Sequence, residues 1–243
     1  MRVTTGPYAH DLSRTLIEQV FAALRRWPSF QAFATQLEAF EKFECFLVGG
    51  AIRNIALGCS APKDFDFIFV GEEADDVIAA LSRAGNVVRG SLGSPCWIGK
   101  RHDKQSADLI SITSFDQGFG SCNTVLCALS QFDFTGNALA LNLGEGTLLN
   151  PYYGYEDLRR KKMRVMRFDY PDEPIRPHIA LTWRAAVWFR ILHYAAKLNL
   201  EIEPATLDWL VANEDCFKQY EKYCQVFPPP NVRLFKYLAS QVS

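Results

Sequence analysis

The sequence predicts an α/β head followed by an all-helical segment. Three observations carry that prediction. Between residues 41 and 166, short apolar runs of strand length alternate with stretches of helical period. Within "DFDFIFV", Phe65, Phe67 and Phe69 fall on one side and Asp64, Asp66 and Ile68 on the other, the period-two signature of a strand with one face in a core. From Ile175 onward the pattern is helical to the end. The change falls near residues 167 to 177. The chain therefore divides into N-terminal helices (1–40), a head (41–166) and a helical segment (167–243).

Each element follows in order. From His10 to Phe40 the pattern is helical, with Leu16, Val20, Ala23 and Leu24 on one face. Pro28 breaks it, and Ser29 is placed to cap a second helix, "SFQAFATQLEAF". "CFLVGG" is a buried strand ending in a glycine turn, and "AIRNIALG" a short helix closed by Gly58. "KDFDFIFVG" is the next strand. "EEADDVIAALSRAG" is a helix with carboxylates in its first turn, where the helix dipole favours them, and Gly85 at its end. "NVVRG" and "ADLISIT" are further strands. "TVLCALSQFDFTGNALALNLG" mixes helix and strand signals and does not resolve into elements. "EGTLLNPYYGYEDLRRKKMRVM" predicts a hairpin or turn, then a short basic helix. The prolines at 228–230 interrupt the last helical stretch and leave "NVRLFKYLAS" as a final short helix.

Composition narrows the function classes. A chain of 243 residues that is 49% hydrophobic and 22% charged has ample material for a core. Its net charge of -1 excludes general attraction to nucleic acid, so any RNA contact must be a local patch. The seven cysteines include no C-x-x-C pair, and together with the lack of a signal peptide they suggest reduced, cytoplasmic thiols. The four histidines are scattered, which argues against structural zinc. No apolar run approaches the ~20 residues of a membrane span.

The chemistry concentrates in "FLVGGAIRNIALGCSAPKDFDFIFV". Asp64 and Asp66 share a strand face with α-carbons roughly 7 Å apart. Like charges that close repel unless a cation lies between them, and Mg²⁺, with Mn²⁺ as the alternative ion, takes one or two carboxylates plus phosphate oxygens. On its own, Asp-x-Asp is also met on solvated edge strands and turns. Gly49 and Gly50 end a strand just before a helix, where backbone N–H groups can approach a phosphate, and Arg53 on the first turn can reach the same anion. A plain strand–turn–helix connection also favours glycines. Asp108 opens a second buried strand and shares a face with Ile110 and Ile112. Three carboxylates beside a phosphate cradle are the components of two-metal nucleotidyl transfer.

These residues resemble the head of class II tRNA nucleotidyltransferases (CCA-adding enzymes) and bacterial poly(A) polymerases, in the DNA polymerase β superfamily. The family pattern, Leu-Val-Gly-Gly-x-Val-Arg-Asp followed by Lys-Asp-x-Asp, is matched by Gly49, Gly50, Arg53, Lys63, Asp64 and Asp66; Asn54 stands at its first Asp. "DFTGNALALN" resembles the family's Asp-Phe-Thr-Ile-Asn-Ala-Leu through Asp133 and Asn137. "LNPYYGYEDLRRKKMRVM" resembles the connection to the neck, and "ILHYAAKLNLEIEPATLDWL" the neck helices. The resemblance covers about residues 40 to 215. It implies a polymerase-β-like nucleotidyltransferase head followed by an all-helical neck. It also implies transfer of a nucleotide from an NTP to an RNA 3′ end, tRNA foremost. In that scheme Asp64, Asp66 and Asp108 hold metal, and Gly49, Gly50, Arg53 and Lys63 bind the triphosphate. Asp133 and Asn137 touch the sugar. Apart from the resemblance, Arg190, His193 and Lys197 form a polar stripe on an otherwise apolar helix, and Arg190 either faces the nucleotide or lies on an ordinary exposed face.

The sequence departs from the family at three places. Gln131 and Phe132 stand where the family has Arg-Arg. Trp183 and Arg184 stand where its neck carries the acidic pair that reads the base. The chain ends at Ser243, leaving no residues for the family's tRNA-gripping body and tail, so a homodimer or partner subunit is expected to supply those contacts, with the apolar stretch Ile179 to Leu198 as its docking surface. Two alternatives follow: a toxin-like tRNA-modifying or small-acceptor nucleotidyltransferase, and a catalytically silent nucleotide- or RNA-binding protein. "RRKKMR" (Arg159 to Arg164) is either an RNA contact or a solvated helix end. Trp183 and Trp188 either stack a base or pack the core.

Overall fold

The structure, a computed structural model, describes residues 7–59, 62–89, 94–99, 104–231 and 233. Helices α1 (Pro7–Arg26) and α2 (Phe30–Leu37) lead into β1 (Phe43–Val48), α3 (Gly50–Ala56), β2 (Asp64–Gly71), α4 (Ala74–Ala84), β3 (Asn86–Arg89), β4 (Pro95–Ile98) and β5 (Ser106–Ser111). Then come α5 (Val125–Ser130), β6 (Ala140–Asn142), β7 (Thr147–Leu149), α6 (Gly154–Arg159) and β8 (Lys162–Met163). The rest comprises β9 (Pro174–Arg176), β10 (Ile179–Thr182), α7 (Trp183–Leu198), β11 (Glu201–Ile202), α8 (Pro204–Ala212) and α9 (Tyr220–Val226). The final helix expected over residues 231–240 lies, but for Asn231 and Arg233, outside the described residues.

Seven strands make one mixed sheet in the order β3-β4-β5-β2-β1-β6-β7. β2 and β5 run parallel, and the other neighbours are antiparallel. The alternation in β2 sorts the two faces. Phe65, Phe67 and Phe69 pack with Leu47 and Leu109 against Leu16, Val20 and Leu24 of α1, Phe33 of α2 and Leu81 of α4. Trp27 stacks on Phe65 at 5.2 Å between ring centroids, and Phe33 on Phe67 at 4.6 Å. The opposite face carries Val48, Ile68 and Ala140 under Phe115 and under Ala128 and Leu129 of α5. Asp64, Asp66 and Asp108 lie on this second face, at the end where α7 approaches.

Several expectations need correction. The segment after residue 167 is not all-helical. β9 and β10 form an antiparallel hairpin, and β11 pairs in parallel with β8, tying the end of the head to the helices beyond it. Two- to four-residue strands beside prolines leave no alternation to detect in sequence. β4 was missed for the same reason. The unresolved stretch separates into α5, a 3-10 turn at Thr135–Asn137 and β6. Ser29 sits at the N-cap of α2 but makes no capping bond with its side chain. Helix α7 is not a docking surface: Ala185, Ala186, Trp188, Phe189, Ile191 and Leu192 are buried within the chain, and Trp188 Nε1 donates to Leu210 O at 2.8 Å. Cys122 and Cys127 are paired as a disulfide, with α-carbons 5.6 Å apart, rather than reduced. Among the described residues, no helix is long and apolar enough to cross a membrane.

Candidate active site

The sheet register assembles the carboxylates. Asp66 on β2 stands directly opposite Asp108 on the parallel strand β5, and Val48 of β1 flanks Asp66 on its other side. Asp66 and Asp108 both line a cavity of about 230 Å³ whose far wall is Trp183, Val187 and Arg190 of α7. Asp64 is exposed and set apart: it pairs in register with Ser106, whose hydroxyl donates to Asp64 Oδ1 at 2.8 Å. Cys96 on β4 faces Asp108 from the other side and hydrogen-bonds to it.

Burial and like charge act together on Asp66. Removal from water, then repulsion from Asp108 and from Asp64, push its pKa from 3.8 up to about 7. Burial also raises Asp108, an effect that the Cys96 hydrogen bond opposes and the Asp64 charge reinforces. Neither carboxylate forms an ion pair among the described residues. The sign of the stability effect follows. With its native pKa above the unfolded one, Asp66 binds more protons folded than unfolded between pH 3.8 and about 7, so stability falls as pH rises through that window. Thermal melts in chelator should show Tm declining from pH 4 to 7, with a shallower decline in Asp66→Asn; parallel curves for the two proteins would show that Asp66 is not the group responsible.

The donor chemistry fits a hard divalent cation at Asp66 and Asp108: two adjacent oxygen donors, one cavity and no protein cation of their own. Asp64 is not part of that pair as it stands, and no three His, Cys, Asp or Glu side chains among the described residues converge as a metal-ligand set.

The phosphate-cradle residues are placed differently from expectation. Gly49 has φ +71°, a conformation suited to glycine, and a Cβ there would lie 3.3 Å from the Phe132 ring and 3.6 Å from Asp66 Oδ2. Its N–H is already used, donating to Leu139 O at 3.2 Å. Gly50 begins α3, and a Cβ there would meet the Arg53 guanidinium at 3.4 Å. Arg53 itself is only 4% exposed and turns inward. Its Nη1 donates to Asn137 Oδ1 at 2.6 Å, its Nε and Nη2 donate to Asn54 Oδ1, and it sits 4.4 Å over the Tyr194 ring of α7. Lys63 is exposed and does not line the cavity.

A buried polar chain continues from Arg53. Asn137 Nδ2 donates to Asp133 Oδ1 at 2.7 Å, the Phe134 N–H donates to the same oxygen at 3.0 Å, and Arg190 Nε donates to Asp133 Oδ2 at 2.7 Å. Asp133, Asn137 and Arg190 are thus brought together, with Asp133 and Arg190 in the cavity wall. The departures from the family pattern also find their roles. Gln131 is buried and braces the loop before it, and Phe132 stacks on Phe115 at 5.9 Å. Arg184 turns away to Asp172 and Asp215, while Trp183 lines the cavity and Trp188 is core. In the basic run, Lys162 pairs with Glu201 and Arg164 with Asp157, leaving Arg159, Arg160 and Lys161 exposed. Sequence reasoning missed Ser106, Cys96 and Tyr194. Only strand register or helix packing puts them at the site, and no local pattern marks them.

Comparison with known proteins gives a consistent result. Residues 45–164 match the family model described as the poly A polymerase head domain. A multifunctional CCA protein of Xylella fastidiosa is 29% identical over 171 residues, covering 67% of this chain and 37% of that protein. A CC-adding tRNA nucleotidyltransferase of Synechocystis is 29% identical over 164 residues, covering 66% of this chain and 34% of that protein. The chain therefore spans little more than a third of these relatives' length. Among solved structures, the Thermotoga maritima CCA-adding enzyme complexed with tRNA superposes with a TM-score of 0.64 at 18% identity, over 90% of this chain and 54% of that one. A CCA-adding enzyme with ATP gives 0.58, also at 18% identity, over 91% of this chain and 47% of that one. The likeness to these structures establishes a shared fold, and over residues 45–164 the chain carries its match to the poly A polymerase head domain.

Proposed function

We propose that this chain is a divalent-metal-dependent nucleotidyltransferase that moves a nucleotide from an NTP to a hydroxyl at an RNA 3′ end, with tRNA as the favoured RNA. The observation that carries the reading is the cross-strand pair Asp66–Asp108 in a cavity whose lining cation, Arg190, is already paired with Asp133. In the reaction the acceptor hydroxyl loses its proton and bonds to the α-phosphorus, and the bond from that phosphorus to pyrophosphate breaks. Asp66 and Asp108 would hold the metal, Mg²⁺ or Mn²⁺, which when bound supplies charge neutralisation for the triphosphate and a more acidic acceptor hydroxyl. Asp64 would join them once released from Ser106. The Asp133–Arg190 pair and Asn137 fix the wall against which the sugar rests, and Trp183 offers an aromatic surface to the base. The relatives named for CCA and CC addition, and the neighbours solved with ATP and with tRNA, support the substrate classes. Incubation with each labelled NTP, Mg²⁺ and total RNA, resolved on a gel, tests the proposal. Label should move into RNA of tRNA size; label in no RNA species would overturn it.

A second reading, a tRNA-modifying or small-acceptor nucleotidyltransferase without templated addition, is favoured by one observation. Arg184 is held by Asp172 and Asp215, and Trp183 stands at the cavity where the resemblance places a base-reading acidic pair. Without matched donors and acceptors on the base edge, selectivity falls toward that of a stacking surface. Relative kcat/KM values for the four NTPs should then lie within roughly tenfold of one another. Ordered addition of C, C and A by this chain alone would refute that expectation.

A further inference from the structure

We propose that Cys122 and Cys127 are a reversible dithiol–disulfide site that sets the order of the cavity wall. The consequence for nucleotide affinity rests on the nucleotidyl-transfer reading above; the redox site itself does not.

The pair joins two parts of one wall. Cys122 ends the loop that begins at Phe115, and Cys127 lies within α5, which leads to Gln131, Phe132 and Asp133. Phe115, Gln117, Gln131, Phe132 and Asp133 all line the cavity. Gln131 couples them. Its Nε2 donates to Gly120 O at 2.9 Å and to Cys122 Sγ at 3.2 Å, and its Oε1 accepts the Gln117 N–H at 2.8 Å. Asp116 Oδ1 accepts the N–H groups of Gly118, Phe119 and Gly120, folding the loop on itself. Gly118 lies so close to Trp183 that a Cβ would sit 2.6 Å from the indole, so the loop also touches the α7 side of the cavity. The other described cysteines are unpaired, with Cys45 and Cys216 buried.

Access and chemistry fit a reversible site. Cys122 is buried while Cys127 is partly exposed, so a reductant reaches the Cys127 sulfur first. A thiolate of a small dithiol attacks that sulfur and forms a mixed disulfide, releasing Cys122 as a thiol. The reductant's second thiol then displaces Cys127 and leaves as a cyclic disulfide. Two electrons and two protons pass from the dithiol to the protein. The loop, freed from α5, then keeps its Gln131 and Asp116 hydrogen bonds and the packing of Phe115 on Phe132 and of Phe119 on Tyr170.

The test compares protein held in oxidised glutathione with protein treated with dithiothreitol. Alkylation after denaturation should label five cysteines in the first and seven in the second, since five are free and two are paired. Peptide mass mapping should place the cross-link at 122–127. Amide exchange over residues 115–131 should be about tenfold faster after reduction, within what loop-closure entropy allows. Cys127→Ser, which leaves buried Cys122 in place, should show the fast exchange in both conditions. Seven labelled thiols in oxidised glutathione, or equal exchange in both states, would overturn the proposal. If the loop responds but neither state binds an NTP, the redox site stands and the nucleotide reading of the cavity falls.

Discussion

Asp66→Asn should lower nucleotide transfer by about 10³-fold or more while raising the melting temperature of the chelator-treated protein at pH 8. The two effects have one origin. The Asp66 carboxylate is disfavoured by burial and by the Asp108 and Asp64 charges, which push its pKa up to about 7, so at pH 8 the folded protein holds a charge that its surroundings resist. Asparagine keeps the shape and removes the charge. The fold gains, and the site loses an oxygen anion aimed at the cavity. Asp108→Asn should act in the same direction, more weakly on stability, because a Cys96 hydrogen bond already favours its charged form. Activity and thermal melts of the same preparations check this. Lost activity with a lower Tm would mark Asp66 as a structural residue, and unchanged transfer would remove it from the chemistry.

What the sequence revealed and what it hid divide along physical lines. The period-two run of Phe65, Phe67 and Phe69 showed both the strand and the face bearing the carboxylates, because one buried face imposes alternation locally. That Asp108 stands opposite Asp66 was not legible, since the pairing joins residues 42 apart through a crossover and its register is set by the whole sheet. Arg53 misled for a related reason. On a short helix after two glycines it looks poised toward an anion, but Tyr194 and Asn137 arrive from distant parts of the chain and take it inward. The Cys122–Cys127 pair escaped because a five-residue separation across a loop and a helix start has no motif. The β9–β10 hairpin escaped because three- and four-residue strands beside prolines carry almost no periodicity.

Breaking the ion pair between Asp133 and Arg190 should be the most destabilising change in the cavity wall. Asp133 is 6% exposed and the Arg190 side chain 27%, with Nε and Oδ2 2.7 Å apart. Burial alone would lower the Arg190 pKa, but the Asp133 charge and hydrogen bond, with Tyr194, outweigh it and hold the guanidinium above its ordinary value. The pair joins the head to α7, and Asn137 carries it onward to Arg53, so one deletion disturbs a chain of partners on both sides. Removing one member of a buried pair costs about 3–5 kcal/mol, because the remaining charge is left without its counterion. Arg190→Ala should fall near the lower end of that range, since Asp133 keeps Asn137 and the Phe134 N–H as donors. At about 3 kcal/mol, Tm should drop by roughly 6–12 °C in a domain of this size. Asp133→Asn should cost more than Arg190→Ala, because it strands a guanidinium that cannot shed its proton. The double variant Asp133→Asn with Arg190→Ala should cost less than the two single losses added, and the cycle then reports the coupling between the two residues. Denaturant titrations of the four proteins at pH 7 provide the measurement. Strictly additive losses in that cycle would mean that the two side chains stabilise the wall independently, and that the head and α7 are held together by packing rather than by this pair.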